Sequence, residues 1–499
     1  MLAIKDFDAL FDSKNFAEIA GVAVSKLEKY FRESTEAPRV RRWTAPRDLL
    51  ALASECLVRG EGSSGDDLDD VSVKDRVSAL AQLFLKNCHH LHSPRYMGHQ
   101  VPPAIPLASL FDFMGSATNQ APGLYEMGPM AAVAEKAVIS EMIKMIGWNP
   151  LDSGGIGTSG GSLANLTALL TARNLRYKDF WSHGAAEVER RLGRKPAIVV
   201  GADSHYSVSR SAGILGFGTS QIVKVPLDSK RRMDPVQLQI VLEQSGKAGL
   251  DIFAIVATAC STPIGAFDPL DEVAEIAKAK NIWLHVDGAH GASVLFSKKH
   301  RHLVKGIDRV DSLVWDAHKM MYVPALSTFV FYKSKEFQER AFQQESPYMR
   351  DPGKKEIREF DTFGGTLECT KRPLALGLWA LWSVYGSSIF ESLIDRTFER
   401  TTEFYQLLND TKDFEPLHEP QSNILCFRYL PKGIKDWPQE QISNFQKTLR
   451  EKLVRTGDYY TTATQLDGRD CLRVTLINPR TQRDDLMGLM DHLRKLGAL

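Results

Sequence analysis

Between residues 195 and 333 the chain sets short, almost wholly apolar runs against stretches whose apolar residues recur every three or four positions. The runs are PAIVVGAD, QIVKVPLD, DIFAIVATA, NIWLHVD, DSLVWDA and STFVFYK, and the clearest helical stretch between them is PLDEVAEIAKAK. A strand apolar on both faces has to be covered on both faces, so this alternation predicts an α/β fold with a mostly parallel sheet between helical layers. Upstream, FAEIAGVAVSKLEKYF and VKDRVSALAQLFLKN carry apolar residues at helical spacing on either side of a polar loop, GEGSSGDDLDD. An apolar helical arm without a sheet of its own is suited to packing on a partner subunit. From about residue 370 the pattern changes to a helix, LALGLWALWSVYG, followed by strands NILCFRYL and CLRVTLIN, which predicts a smaller α+β unit. The expected organisation is therefore an N-terminal helical arm over 1–88, a large domain over 89–368 and a small C-terminal α+β domain over 369–499. No internal repeat or low-complexity tract interrupts it.

Composition narrows the class of partner. Lys and Arg number 62 against 61 Asp and Glu, leaving a net charge of +1, so there is no electrostatic footprint for nucleic acid or an acidic membrane surface. The six cysteines are dispersed without a CxxC pair, which fits reduced thiols better than a disulfide framework and offers no zinc or other metal site. The N-terminus, MLAIKDFDALF, has acidic residues where a signal peptide needs basic and then apolar ones. No uncharged apolar run approaches the roughly 18 residues of a membrane span. The expectation is a cytoplasmic protein acting on a small molecule.

The strand ends carry the chemistry. NIWLHVD closes an apolar run on Asp287, and a carboxylate taken out of water is costly unless a cation meets it. Ligands of such sheets sit beyond the carboxyl ends of the strands. Two further strand ends hold candidate groups: His205 in DSHYS and Lys319 in DAHKMM. A glycine turn in GTSGGSLANLTALLTARN runs into a helix with Leu163, Leu166, Leu169 and Leu170 on its apolar face, and its free N–H groups and helix dipole would face an anion. Alone, such a turn serves close packing as readily, and it matches neither common nucleotide-binding glycine pattern. Taken together, a phosphate turn, an imidazole, a strand-end carboxylate and a lysine are the parts that hold pyridoxal phosphate.

TSGGSLANL, DSHYS, ATACSTPIGAFDPL, HVDGAHG and DAHKMM stand in an order and at a spacing that resembles the group II pyridoxal-phosphate-dependent amino acid decarboxylases, over roughly residues 90 to 480. That family includes glutamate, cysteine sulfinate, 2,4-diaminobutyrate and aromatic amino acid enzymes. The resemblance implies fold type I architecture, pyridoxal 5'-phosphate as cofactor and a homodimer with the active site at the subunit interface. It also implies a role for each matching residue. Lys319 would form the Schiff base, Asp287 would face the ring nitrogen, His205 would stack on one ring face and Ala289 would touch the other. Gly161 and Ser162 would hold the phosphate, Ser261 would lie near the ring oxygen, and His318 would lie near phosphate and substrate. Arg473, in CLRVTLINP, matches an arginine that binds the substrate α-carboxylate, and Gln100, in SPRYMGHQVPP, falls near a glutamine that serves acidic substrates. Tyr348, in QQESPYMRDPGKK, matches a tyrosine on the family's catalytic loop that would return a proton to Cα once CO2 has left.

Four positions depart from the family. Asp316 stands where the glutamate enzymes have asparagine, and an acid there repels a phosphate unless another group intervenes. Cys260 with Ser261 replaces a glycine–threonine pair, and Gly288 replaces alanine. The implied activity is decarboxylation of an L-amino acid to its amine, with a small acidic substrate such as glutamate, aspartate or cysteine sulfinate ahead of 2,4-diaminobutyrate or an aromatic amino acid. Another fold type I lyase or an aminotransferase would use the same groups. Intact Lys319, Asp287 and His205 argue against a non-catalytic scaffold, and the absent dinucleotide fingerprint argues against an oxidoreductase.

Overall fold

Each of the six apolar runs forms a strand in the computed structural model, which describes residues 7–36, 39–41, 43–57, 72–338, 340–342 and 358–498. The loop GEGSSGDDLDD and the segment QQESPYMRDPGKK with Tyr348 lie outside the described residues. The strands join the glycine-rich Gly154–Thr158 in a seven-stranded sheet. Its order is Gly154–Thr158, Thr328–Tyr332, Ser312–Asp316, Trp283–Asp287, Leu250–Thr258, Lys195–Gly201 and Ile222–Val225. The last five run parallel, which places the ends at Asp287 and Asp316 on one edge. The sheet is mostly parallel as expected, and Thr328–Tyr332 is the exception, antiparallel to both its neighbours. The reason is the connection: the chain returns from Asp316 through turns without a helix, and a parallel return needs a crossover of about a dozen residues or more.

Burial follows the pattern. Leu284, Val286, Ile255, Leu313 and Trp315 are fully buried in one core, and each such aliphatic side chain contributes about 1.5–3 kcal/mol by leaving water. On the other face, Ala164 and Ala168 of the helix Gly161–Arg176 pack on Ile156, Val314 and Val330. Their small side chains let that helix approach closely enough to bring its N-terminus over the strand ends. It starts from Gly160 at φ 112, a backbone that glycine adopts without a steric penalty.

A five-stranded sheet forms the C-terminal layer, in the order Tyr96–Met97, Tyr460–Leu466, Arg469–Thr475, Ile424–Tyr429 and Phe414–Pro416. The helices Ser388–Asn409, Gln439–Thr456 and Arg483–Leu496 supply its apolar cover. Because Tyr96 pairs with Tyr460, and Thr462 with Arg473, the segment leading to Gln100 is tied to the sheet that carries Arg473. The helix Leu376–Tyr385 places Leu378 and Leu381 in the core of the large sheet. The arm contains the two expected helices, Ser13–Glu36 and Val73–Asn87, and a third, Pro46–Glu55. All six cysteines are free thiols, and among the described residues no helix is long and apolar enough to cross a membrane.

Candidate active site

Asp287 closes its strand with only 6% of its surface exposed, and both carboxylate oxygens are engaged. Asn165 Nδ2 donates to Oδ2 at 2.9 Å, and the Ala289 amide donates to Oδ1 at 3.2 Å. Asn165 in turn accepts from His285 Nε2 at 2.9 Å, while His285 Nδ1 meets the Ser312 hydroxyl at 2.8 Å and Trp283 Nε1 donates to that hydroxyl at 2.9 Å. Burial pulls His285 down to about 4, so it is neutral and its single N–H points at Asn165. A second branch runs from Asn165 Nδ2 to Ser207 Oγ at 2.9 Å and from Ser207 Oγ to His205 Nδ1 at 2.8 Å. His205 caps the helix Tyr206–Ile214 by accepting from the Ser207 amide, which leaves Nε2 as its free edge. Burial lowers its pKa as well, with the carboxylates of Asp287 and Asp316 pulling the other way.

Lys319 lies one strand over. Its Nζ is 3.1 Å from Asp316 Oδ2 and its side chain keeps 21% of its surface accessible, enough for a small reactant to reach it. Burial pulls the ammonium down, but Asp316 and Asp287 outweigh it and hold its pKa above the ordinary value. Asp316 also receives the Thr328 hydroxyl at 2.6 Å and lies 3.5 Å from His318 Nε2. Burial pushes its carboxyl up, yet Lys319, His318 and Thr328 prevail and keep it below its usual range. His318 is oriented by Nδ1, 2.9 Å from the Ser327 carbonyl. The acid flagged in the sequence thus has a lysine, an imidazole and a hydroxyl around it.

The glycine turn meets this cluster. A Cβ added to Gly161 would come within 3.2 Å of Asp316 Oδ1 and 3.6 Å of Ala289 Cβ, so the turn sits close against both strand ends. Ser162 follows in the first turn of the helix, where backbone N–H groups have no intrahelical acceptor. Ser261 is turned inward: its hydroxyl accepts from the Ala266 amide at 3.2 Å, closing the turn after the strand Leu250–Thr258.

Arg473 approaches from the C-terminal sheet. It is 6% exposed, and among the described residues its one side-chain hydrogen bond, from Nη1 to Thr462 Oγ1, is long at 3.4 Å. Among the same residues Nε and Nη2 are buried without partners, as is Gln100 Nε2. Burial lowers its pKa, and the groups that oppose this are the thiols of Cys426, Cys260 and Cys471; no carboxylate stands among them.

The pyridoxal-dependent decarboxylase conserved domain matches residues 69–430, well over half of the chain. The chain belongs to the pyridoxal-dependent decarboxylase family. It is a decarboxylase that uses pyridoxal phosphate. The acidic amino acid decarboxylase GADL1 of Bos taurus is 30% identical over 392 residues, covering 77% of this chain and 74% of the relative. That of Mus musculus is 28% identical over 467 residues, covering 92% and 82%. The crystal structure of mouse CSAD superposes with a TM-score of 0.87 at 25% identity, over 97% of this chain and 98% of that one.

The residues present fit the decarboxylase's cofactor. The turn at Gly161 offers amide donors to a phosphate, Lys319 offers an accessible amine, and Asp287 offers a carboxylate fixed by two donors. Sequence reasoning missed the residues behind Asp287. Asn165 lies one helical turn after Gly161, and His285 lies two positions before Asp287 on the same strand face. Each is a polar residue inside an otherwise apolar face, and that anomaly was the available signal.

Proposed function

We propose that this decarboxylase acts on a small acidic L-amino acid. One observation carries an amino acid carboxylate: Arg473 is buried and, among the described residues, its guanidinium has no carboxylate partner and two of its nitrogens are unpaired. A buried donor left unsatisfied costs about 1–3 kcal/mol, so a site that retains one is built for a ligand that satisfies it. A carboxylate does so with two parallel hydrogen bonds. Gln100 Nε2 adds an uncharged buried donor for a second acidic group. Relatives named for acidic amino acid decarboxylation support the same reading.

In this proposal Arg473 grips the α-carboxylate and holds the scissile bond in one orientation. Gly161 and Ser162 bind the phosphate, and Ala289 and His205 take the two faces of the ring, His205 fixed through Ser207. Asp287 keeps a negative charge at the ring nitrogen. Bound there, pyridoxal phosphate supplies the electron sink for the pair left when CO2 departs. Lys319 holds the cofactor, with Asp316 and His318 beside it, and Ser261 closes the turn near the ring oxygen. Tyr348 returns the proton to Cα.

The assembly we propose is a cytoplasmic homodimer with the site at its interface. Phe16, Val24, Leu80, Phe84, Phe113 and Met114 are exposed on the arm and the helix that follows it, and Phe16 stacks on Phe113 at 6.3 Å. Such a surface is what a second subunit would cover. Six free thiols suit a reducing compartment.

A screen of CO2 release over the standard amino acids, cysteine sulfinate and 2,4-diaminobutyrate tests the substrate class. The highest kcat/KM is expected with glutamate, aspartate or cysteine sulfinate. A maximum with an aromatic or a diamino substrate overturns the acidic reading.

A further inference from the structure

The turn after the strand Leu250–Thr258 holds Cys260 at φ 72, in the left-handed region that burdens every side chain but glycine's. Its surroundings fix where the residue lies. The Ala259 amide donates to the Asp287 carbonyl at 2.9 Å, the Gly291 amide donates to the Ala259 carbonyl at 3.1 Å, and the Ser261 amide donates to the Ala266 carbonyl at 2.8 Å. Cys260 therefore stands beside the end of the Asp287 strand. The far side of the same turn packs on the C-terminal sheet: the Cys426 thiol donates to the Pro263 carbonyl at 3.3 Å, and a Cβ on Gly265 would lie 3.2 Å from Ile424 Cβ. Cys426 is the register partner of Arg473. Between these two anchors Cys260 is 3% exposed, with Lys319 and Arg473 both acting on its thiol. Burial pushes that thiol up to about 12, so it is neutral. What points to a ligand is Arg473 itself, nine-tenths buried with Nε and Nη2 unpaired among the described residues.

We propose that Cys260 is a specificity-determining residue whose side chain closes the space between Lys319 and Arg473 and restricts the site to small amino acids. The inference rests on the decarboxylase reading and deepens it. A strained backbone persists where the surrounding structure requires it, and here the side chain is what the strain retains. A neutral thiol adds bulk without adding charge, so it leaves the guanidinium to the incoming carboxylate. An acid at this position would neutralise Arg473.

The test compares Cys260→Gly, Cys260→Ala and Cys260→Ser holoenzymes with the wild type. Dissociation constants from titration calorimetry and kcat/KM from CO2 release are measured for aspartate, glutamate, cysteine sulfinate, 2,4-diaminobutyrate and phenylalanine. For Cys260→Gly and Cys260→Ala the preference for the best small substrate over phenylalanine is expected to fall by about tenfold or more, the usual worth of one pocket contact. Cys260→Ser, close in size, keeps the wild-type ranking. Only Cys260→Gly raises the Tm, because only glycine relieves the backbone. Unchanged ranking in both the glycine and alanine variants overturns the proposal, whatever the Tm does. A wild type that binds these amino acids without releasing CO2 overturns the decarboxylase reading instead, and the binding ranking then still decides the role of Cys260.

Discussion

Asp287 and Arg473 are equally buried, each 6% exposed, in two different sheets, and the proposed function brings both to one site. Around Asp287 the hydrogen bonding is complete: two donors on the carboxylate, and behind them a chain through Asn165, His285 and Ser312 to Trp283. Around the Arg473 guanidinium it is left open, with one long bond to Thr462 and two nitrogens unpaired among the described residues. Burial alone does not separate these cases, and the hydrogen-bond inventory does. A charge that faces a resident group can be fixed permanently. A charge that must accept and release a substrate at every turnover has to pay its desolvation with the ligand itself. The proposed function accordingly takes the saturated end for the cofactor and the open end for the substrate.

The harshest test removes the group between the two ends. Lys319→Ala should abolish steady turnover and the borohydride-reducible cofactor adduct while circular dichroism stays native. Pyridoxyl found on another lysine by mass spectrometry of the reduced wild type would refute this assignment. Next comes the saturated end. Asp287→Asn keeps the shape and removes the charge, and loss of such a stabiliser commonly costs about 100-fold or more in rate. Near-native kcat in that variant would remove Asp287 from the chemistry. At the open end, Arg473→Lys should cost about 10- to 100-fold in kcat/KM, because an ammonium cannot make the paired contacts of a guanidinium. A native KM in that variant would show that the empty donors serve something other than the substrate carboxylate.

The comparison also shows what the sequence could and could not disclose. The strands around Asp287 were legible because each is apolar on both faces and ends in polar residues. The site residues at those ends could be named because a strand end fixes a side chain's place. Arg473 could be nominated only by resemblance, since a lone arginine in CLRVTLINP reads equally well as a surface residue until the sheet buries it. The relay behind Asp287 joins Asn165 to three partners on two other elements, and no local pattern announces contacts made between elements. Which strand of the mostly parallel sheet would turn back, Thr328–Tyr332, was not legible for a related reason: a fully buried strand looks the same in either direction.

A finer cut through the saturated end is Asn165→Leu. The leucine fills the volume but leaves Asp287 Oδ2 and His285 Nε2 without their shared partner. One lost buried hydrogen bond is worth about 1–3 kcal/mol, so cofactor affinity should fall by about tenfold while KM for the amino acid holds. If KM rises as much as cofactor affinity falls, the two ends are coupled and the division between them fails.

The smallest effect is expected at Asp316, which sits between the ends and leans on Lys319 at 3.1 Å. Asp316 is held below its ordinary 3.8 and Lys319 above its ordinary 10.5. The carboxylate's contribution to stability is present above its unfolded pKa and is lost as pH falls through the lower folded value. The ammonium's contribution is present below its unfolded pKa and is lost as pH rises through the higher folded value. Asp316→Asn should therefore lower the Tm of the cofactor-free protein between about pH 4 and about pH 10 and converge with the wild type outside that window. Lys319 attacks only as the neutral amine, so removing its neighbour should move the pH midpoint for reconstitution with pyridoxal phosphate downward. The move is partial, because Asp287 still raises the lysine's pKa. A midpoint that stays in place while the Tm falls would assign Asp316 to stability alone and leave Lys319 governed from the Asp287 side.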